Sequence, residues 1–171
     1  MGRAEVEVSH PFVTRAGEGT ALWHIDNLMV FKALAAATGN RLAVWEQLLP
    51  RHSSPPLHVH HRDDEAWYVL DGSMTFRVED NEMTAAAGDF IWAPRGLPHT
   101  FRVESQTARV LGLGIPAGFE EFFLATGRPA AELALPPPPE SPPNLAQMLP
   151  HAQAAGCDIL GPPMLPDEPV A

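Results

Sequence analysis

The chain has 171 residues, a formal net charge of −10 at pH 7 and a single cysteine, Cys157. This length suffices for one domain with a substantial core, and the negative charge argues against a nucleic-acid partner, whose phosphates need a cationic surface. One cysteine excludes an internal disulfide and fits a reducing cytoplasm, the expected location, and no apolar run approaches the ~18 residues of a membrane helix.

The N-terminal third of the chain reads as strands and turns. Residues 20–34 are strand-like, with a mixed apolar period. Gly39 followed by Asn40 between two apolar runs predicts a tight hairpin with a positive φ at the glycine. Residues 42–49 then form a predicted strand, and residues 50–56, with proline at both ends, a rigid loop.

Short strands continue through the middle of the chain. Asp71-Gly72 between alternating runs predicts a second hairpin, and the alternation over residues 74–78 predicts a half-buried strand. A turn is expected at residues 79–82. Further strands are expected at residues 90–92, 100–103 and 108–115. Many short strands with turns about every eight to twelve residues predict an all-β sandwich or barrel.

One stretch has helical periodicity in apolar rings. Phe119, Phe122 and Phe123 are spaced i, i+3 and i+4, and Gly127 stands where a C-terminal cap belongs. Residues 118–127 should therefore form a short amphipathic helix. Its rings are expected either to form a lid over a pocket or to pack as ordinary core, and helical spacing alone does not separate these two roles.

The C-terminal part differs from the rest in composition. Residues 135–143 are rich in proline and should form a stiff, extended connector. Residues 144–156 look helical, with Pro150 expected to kink or split the helix. We therefore expect a β-barrel with N-terminal strands and a capping helix over residues 1–128, and a C-terminal arm over residues 129–171 that packs on the barrel or on a partner subunit.

A set of metal-ligand residues lies in the middle of the chain. His58 and His60 are two apart, so on a strand their imidazoles face the same side. Glu65 opens the next strand after a short turn, and His99 begins a later strand. Imidazoles with a carboxylate suit one divalent transition metal ion, such as Fe, Ni, Mn, Co or Zn.

Neighbouring residues have less informative patterns. His61 has the wrong strand parity to join His58 and His60 and is expected to face solvent, as are Asp63 and Asp64 in the turn. Cys157 has no nearby histidine and is expected to be inert. The remaining histidines match no ligand pattern: His10, His24, His52 and His151.

Four large apolar residues share strand parity with the ligands or with the inward face of their strands: Trp67, Met74, Phe76 and Phe101. They are candidates to line an apolar substrate cavity beside the metal. As pure core residues they would look the same in sequence, so both interpretations stay open.

The ligand residues fall within two longer motifs. The spacing H-x-H, four residues, E, six residues, G is met by His58, His60, Glu65 and Gly72. The spacing G, five residues, P-x-G, two residues, H is met by Gly88, Pro94, Gly96 and His99. In this order the motifs resemble the two metal-binding motifs of the cupin superfamily, with His52 where the first motif usually opens with glycine. The resemblance implies a double-stranded β-helix, or jelly-roll barrel, with a few short C-terminal helices.

Within that superfamily, the chain resembles single-domain bacterial cupins of the quercetin 2,3-dioxygenase type. The resemblance lies in the run Pro-Pro-Leu-His-Val-His-His over residues 55–61, the phenylalanine helix and the Pro-rich tail. The resemblance implies a homodimer and a metal-dependent dioxygenase acting on a flavonol or another enolisable hydroxylated aromatic, with O2 as co-substrate. Glu65 would then be catalytic, taking the hydroxyl proton as the substrate oxygen ligates the metal.

Two other classes of function stay open. The same site could serve an isomerase, lyase or hydrolase that uses the ion only as a Lewis acid. It could also belong to a non-catalytic cupin that binds a small molecule, since one fold hosts many functions.

Overall fold

The structure, a computed structural model, describes residues 10–138 and 143–164. The helices in these residues are α1 (Ala35–Thr38), α2 (Glu120–Thr126) and α3 (Leu145–Ala154). The strands are β1 (Thr20–His24), β2 (Asn27–Ala33), β3 (Ala43–Pro50), β4 (Pro56–His60), β5 (Asp64–Asp71), β6 (Ser73–Val78), β7 (Asn81–Ala86), β8 (Phe90–Ala93), β9 (His99–Val103), β10 (Thr107–Ile115), β11 (Arg128–Pro129) and β12 (Cys157–Pro163). None of the helices in these residues is long and apolar enough to cross a bilayer.

The strands form two antiparallel sheets. One has the order β11-β1-β2-β3-β10-β5-β8 and the other the order β12-β4-β9-β6-β7. One apolar cluster contains buried side chains from both sheets, including Trp67 and Val69 from the first sheet and Met74 and Phe76 from the second. Two sheets packed face to face over one core confirm the predicted all-β jelly-roll class.

Strand β3 shows how the first sheet is built. Its burial alternates along its whole length, so every second side chain faces the interior. Trp45 faces inward and packs against Gly112 of β10, where an added Cβ would overlap the indole. Gln47 is the polar member of this inward row, and it lies in the wall of the cavity described below.

Two predictions for the N-terminal third, a strand over residues 20–34 and a hairpin at Gly39-Asn40, differ from the structure. Residues 20–34 are two strands, β1 and β2, joined by a turn in which Ile25 has a φ of 57°. The predicted tight hairpin at Gly39-Asn40 is wrong, because the antiparallel strands β2 and β3 are joined through α1. Both residues do adopt positive φ, with Gly39 as the left-handed C-cap of α1.

The predicted hairpin at Asp71-Gly72 is also wrong. Strands β5 and β6 belong to different sheets, so this turn carries the chain from one sheet to the other. Gly72 has a φ of 83°, and a Cβ there would overlap the Thr107 carbonyl oxygen. Strand β7 was not predicted, since most of its residues are exposed at the sheet edge and show no alternation of apolar and polar side chains.

The C-terminal segments return to the barrel. Helix α3 is capped by the Asn144 side chain, which accepts a hydrogen bond from the Gln147 N–H, and it contains Pro150 without ending there. Strand β12 adds to the second sheet beside β4, which carries two of the candidate ligands. Residues 135–138 have no regular structure, and residues 139–142 of the predicted connector lie outside the described residues.

Candidate metal site

Three histidines and one glutamate from three strands converge on one point. His58 and His60 project from β4, His99 from β9 and Glu65 from β5. The pairing of β4 with β9 places His58 opposite His99, while Glu65 arrives from the other sheet. One potential ligand atom from each residue lies within 4.8 Å of all the others, and all four side chains are buried.

The glutamate oxygen lies at the centre of this group. Glu65 Oε2 is 3.3 Å from His99 Nε2, 3.4 Å from His60 Nε2 and 4.0 Å from His58 Nε2. Only the contact with His99 has hydrogen-bond geometry. The Nε2 atom of each imidazole therefore faces the same small volume as the carboxylate.

The other ring nitrogens of His58 and His99 fix the tautomers. His58 Nδ1 lies 2.8 Å from the Pro56 carbonyl oxygen, and His99 Nδ1 lies 3.0 Å from the Leu97 carbonyl oxygen. A carbonyl oxygen only accepts, so both Nδ1 atoms carry the proton and donate it. In the neutral rings each Nε2 then presents a lone pair, which is the form that binds a metal ion.

Asp63 lies behind His60 as an ion-pair partner, without the hydrogen-bond geometry of the other two contacts. Its Oδ2 lies 2.9 Å from His60 Nδ1, and the two side chains are 3% and 0% exposed. The expectation that Asp63 faces water is wrong, because the turn after β4 folds its carboxylate inward. A carboxylate behind a ligating imidazole holds the ring orientation and raises its basicity. The i, i+3 spacing from His60 was the only sequence signal for this contact.

The donor set fits a cation. His60 Nε2 is buried and, like His60 Nδ1 and Asp63 Oδ2, has no hydrogen-bond partner among the described residues. A buried nitrogen left in this way costs about 1–3 kcal/mol. The Nε2 lone pairs of the three histidines also repel one another and the Glu65 carboxylate. This repulsion is relieved only when a proton or a metal ion lies between them. One divalent ion ligated by His58, His60, Glu65 and His99 removes both costs.

The cluster shifts the pKa values of its own members. Burial is the largest influence on the pKa of Glu65 and raises it, but the close approach of the His58, His99 and His60 imidazoles holds that pKa below its usual range. Burial lowers the pKa of His58. For His60 the effect of burial is outweighed by Asp63 and Glu65, so its pKa is raised.

The loops of the two motifs are tied together beside the site. Arg95 makes a bidentate contact with Asp64, with Nε to Oδ1 at 3.0 Å and Nη2 to Oδ2 at 2.7 Å. The Gly96 N–H donates to the His60 carbonyl oxygen at 2.7 Å. His52, which replaces the usual glycine, has a φ of 67°, so it keeps the backbone conformation that glycine favours.

An apolar cavity of about 270 Å³ opens beside the cluster and includes His58 and Glu65 in its wall. Trp67 and Phe101, two of the predicted pocket residues, also line it. The other two do not: Met74 and Phe76 are fully buried in the core cluster between the sheets. Strand parity placed all four on the inward face but could not show how far along the barrel the cavity reaches.

The predicted phenylalanine helix covers one side of this cavity. It begins one residue later than the first ring, with Phe119 as its N-cap, and ends without the left-handed glycine that was expected, since Gly127 has a φ of −80°. Phe119 stacks on Phe122, Phe123 meets both rings edge-on, and all three line the cavity. Phe119 also meets the His60 imidazole edge-on, with ring centroids 4.0 Å apart. The rings are thus both core and cavity wall.

Sequence reasoning missed His24. It is buried, its ring meets Phe122 and Phe123 edge-on, and it lines the cavity. Burial lowers its pKa to about 4, so the ring is neutral at pH 7. No motif or spacing marks this residue, because its neighbours in the cavity come from distant parts of the chain.

Two other residues lie near the site. His61 projects away from the cluster, is half-exposed, and its Nε2 lies 2.9 Å from Asp158 Oδ2. Cys157 is buried opposite His60 on the adjacent strand, and burial raises the pKa of its thiol to about 12.

Known proteins match this chain in sequence. Residues 44–113 match the family model for the cupin domain. Quercetin 2,3-dioxygenase of Bacillus subtilis is 30% identical over 70% of this chain and 35% of its own length. Quercetin 2,3-dioxygenase of Aspergillus japonicus is 28% identical over 44% of this chain and 23% of its own length. The chain thus spans about a third or less of the length of these curated relatives.

Solved structures match the fold. An RmlC-like cupin from Shewanella frigidimarina superposes with a TM-score of 0.54 at 17% identity, over 64% of this chain and 96% of that one. KdgF from Halomonas sp. superposes with a TM-score of 0.54 at 18% identity, over 63% and 94%. The matched family model identifies residues 44–113 as a cupin domain, and the paired motifs and the two-sheet barrel agree with this.

Proposed function

We propose that this chain is a metal-dependent dioxygenase that acts on a flavonol-like or other hydroxylated aromatic substrate. The observation that carries the proposal is a buried cluster of three imidazoles and one carboxylate that opens on an apolar, ring-lined cavity. Four protein ligands leave one or two coordination positions on a transition metal for a substrate oxygen. When bound, the ion would supply Lewis acidity and, for a redox-active metal, electron transfer between substrate and O2.

The protein side chains would orient the substrate and move one proton. His58, His60 and His99 present their Nε2 atoms, held by Pro56, Asp63 and Leu97 from behind. Glu65 is within reach of the same point, so its Oε2 would accept the hydroxyl proton when the substrate oxygen arrives. Because the pKa of Glu65 is low, the carboxylate would hold this proton only briefly before passing it to the product.

The cavity wall favours a flat aromatic ligand. Trp67, Phe101 and the rings of α2 present edges and faces to the cavity, and a planar ring system packs well against such surfaces. Apolar walls also exclude water, which would otherwise quench reactive intermediates. The sequence similarity to two quercetin 2,3-dioxygenases supports this substrate class.

An oxygen electrode tests the proposal. Metal-replete protein with quercetin should consume O2 and release carbon monoxide, and Glu65→Gln should reduce turnover by about a hundredfold or more while ligand binding persists. Metal content is measured on both proteins, because Glu65 is itself a candidate ligand. Absence of O2 uptake with a panel of flavonols and enediols for every divalent metal would remove the dioxygenase and favour a Lewis-acid enzyme or a binding protein.

A homodimer is proposed for the same protein. Strand β8 forms an edge of the larger sheet, and its Phe90 and Trp92 side chains are 60% and 43% exposed, with Tyr68 beside them on β5. Exposed apolar rings on a sheet edge favour association with a second copy. Sedimentation equilibrium should show a dimer that Trp92→Glu weakens; a monomer at all concentrations would contradict this.

A further inference from the structure

The cavity wall has a second polar region away from the candidate ligands. It is formed by Asp26 in the β1–β2 turn, Asn27 of β2, Gln47 of β3 and Ser53 in the loop before β4. The last three are only 6–7% exposed, and Asp26 is half-buried. Polar side chains in an otherwise apolar cavity fix the orientation of a ligand.

Hydrogen bonds join these residues in a fixed direction. Ser53 Oγ donates to Asp26 Oδ1 at 3.1 Å, and Asn27 Nδ2 donates to the same oxygen at 3.2 Å. Gln47 Nε2 in turn donates to Asn27 Oδ1 at 3.3 Å. Because a carboxylate only accepts, Asp26 sets the orientation of the Asn27 amide, and Asn27 then sets that of Gln47.

This direction leaves oxygen acceptors for a ligand. Asp26 Oδ2 and Gln47 Oε1 receive no hydrogen bond from the described residues. No lysine or arginine lines the cavity within the described residues. A carboxylate or phosphate on the ligand would therefore meet the Asp26 carboxylate without a compensating cation, whereas a hydroxyl would donate to it.

His24 adds a third acceptor to this wall. Thr126 Oγ1 uses its hydrogen on the Phe122 carbonyl oxygen at 2.7 Å, so it accepts from His24 Nε2 at 3.1 Å. The neutral His24 ring then has its lone pair on Nδ1, which bonds to none of the described residues. The wall is thus matched to ligand hydroxyls.

The register of the larger sheet gives the separation of the two polar regions. Gln47 lies opposite Val110 of β10, which lies opposite Val69 of β5, four positions along β5 from Glu65. Two strand spacings and four residues of rise correspond to about 16 Å between the Gln47 and Glu65 backbones. Gln47 and Glu65 both project from the inner face of this sheet, so a ligand that reaches both must be extended, as a molecule of three linked rings is.

We infer that Asp26 and Gln47, aligned through Asn27, bind a hydroxyl on the ring of a neutral multi-ring aromatic substrate that is remote from its metal-binding oxygen. The inference rests on the proposed function, because the other end of the ligand is held at the metal site. It assigns specificity for hydroxylated over unsubstituted rings to residues that lie outside both cupin motifs.

The test measures binding, without turnover, on anaerobic metal-replete protein. Tryptophan quenching gives the Kd of quercetin and of a flavonol whose only hydroxyl is the metal-binding one. Wild type should bind quercetin about tenfold more tightly, the value of one hydrogen bond to a charged acceptor. Gln47→Met removes one of the two proposed acceptors and should reduce this preference, while the Kd of the plain flavonol and the metal content are unchanged.

Two further variants complete the experiment. Asp26→Asn replaces the carboxylate acceptor by an amide and should also reduce the preference for quercetin over the plain flavonol. This variant keeps the inference testable if Gln47→Met does not fold. Glu46→Met is the matched control, because Glu46 faces outward on the same strand and binds Arg109; it should leave both Kd values unchanged. Equal binding of both flavonols, or a preference that both pocket variants keep, overturns the inference and leaves the proposed function standing. If neither flavonol binds, the proposed function fails and the inference with it.

Discussion

The contact between His60 and Asp63 gives a sharp prediction about metal affinity. Asp63 is buried behind a candidate ligand, and its Oδ2 lies 2.9 Å from His60 Nδ1. Asp63→Ala removes the carboxylate behind His60 and leaves the imidazole free to rotate or change tautomer. Asp63→Asn keeps a weaker acceptor in nearly the same volume, so its effect should be smaller.

The size of the effect follows from burial. Loss of an outer-shell carboxylate behind a ligating histidine typically lowers metal affinity 10- to 100-fold, or by about 1.4–2.7 kcal/mol. The His60 and Asp63 side chains are 0% and 3% exposed, so water cannot replace the lost partner. We therefore expect about a hundredfold loss for Asp63→Ala and about tenfold for Asp63→Asn.

Competition with a chromogenic chelator near neutral pH measures these affinities. Asp158 supplies a matched control, because its Oδ2 lies at the same 2.9 Å from His61 Nε2 but both side chains are 52% exposed. Asp158→Ala should change metal affinity less than twofold. Wild-type affinity in both Asp63 variants, or an equal loss in Asp158→Ala, would refute the role of Asp63 in holding His60.

Three further predictions concern pH and thiol chemistry. The pKa of His24 is about 4 in the folded protein and about 6.5 in the unfolded chain, so the unfolded chain binds the proton first as pH falls. The free energy of unfolding should therefore decrease by up to about 3 kcal/mol between pH 6.5 and pH 4 because of this residue. Urea unfolding of wild type and His24→Gln at both pH values should show a difference in stability that changes with pH, and a constant difference would count against this role of His24. Metal affinity should fall as pH drops through about 6.5, because imidazole must be neutral to ligate, and a flat metal-occupancy profile would argue against histidine ligands. Cys157, with a thiol pKa of about 12, should resist alkylation in the folded protein at pH 8 and react quickly after denaturation; fast native labelling would show that the thiol is not shielded.

Much of the site was predictable because it depends on short-range geometry. His58 and His60 share a strand face through a period of two, and that relation holds in any regular strand. The strand over residues 42–49 and the ring spacing of α2 were predictable for the same reason, as local periodicity. The motif spacing of the cupin superfamily then related Glu65 and His99 to them, which periodicity alone could not do.

The errors lie where a distant part of the chain decides the outcome. Asp71-Gly72 has the composition of a hairpin turn, but Gly72 instead packs against the Thr107 carbonyl, and the chain changes sheet there. Asp63 has the composition of an exposed turn, yet the fold places it behind His60. His24 lines the cavity only because β1 and α2 are brought together across 102 positions of sequence. Such contacts have no local signature.

The most direct test of the central claim is the metal content of the purified protein, measured by elemental analysis after incubation with each divalent transition metal and removal of excess. We predict one tightly held ion per chain in wild type, near-complete loss in His99→Ala and full retention in His61→Ala, whose imidazole points away from the cluster. A wild-type chain that retains no ion with any of these metals, or equal losses in the two variants, would contradict it.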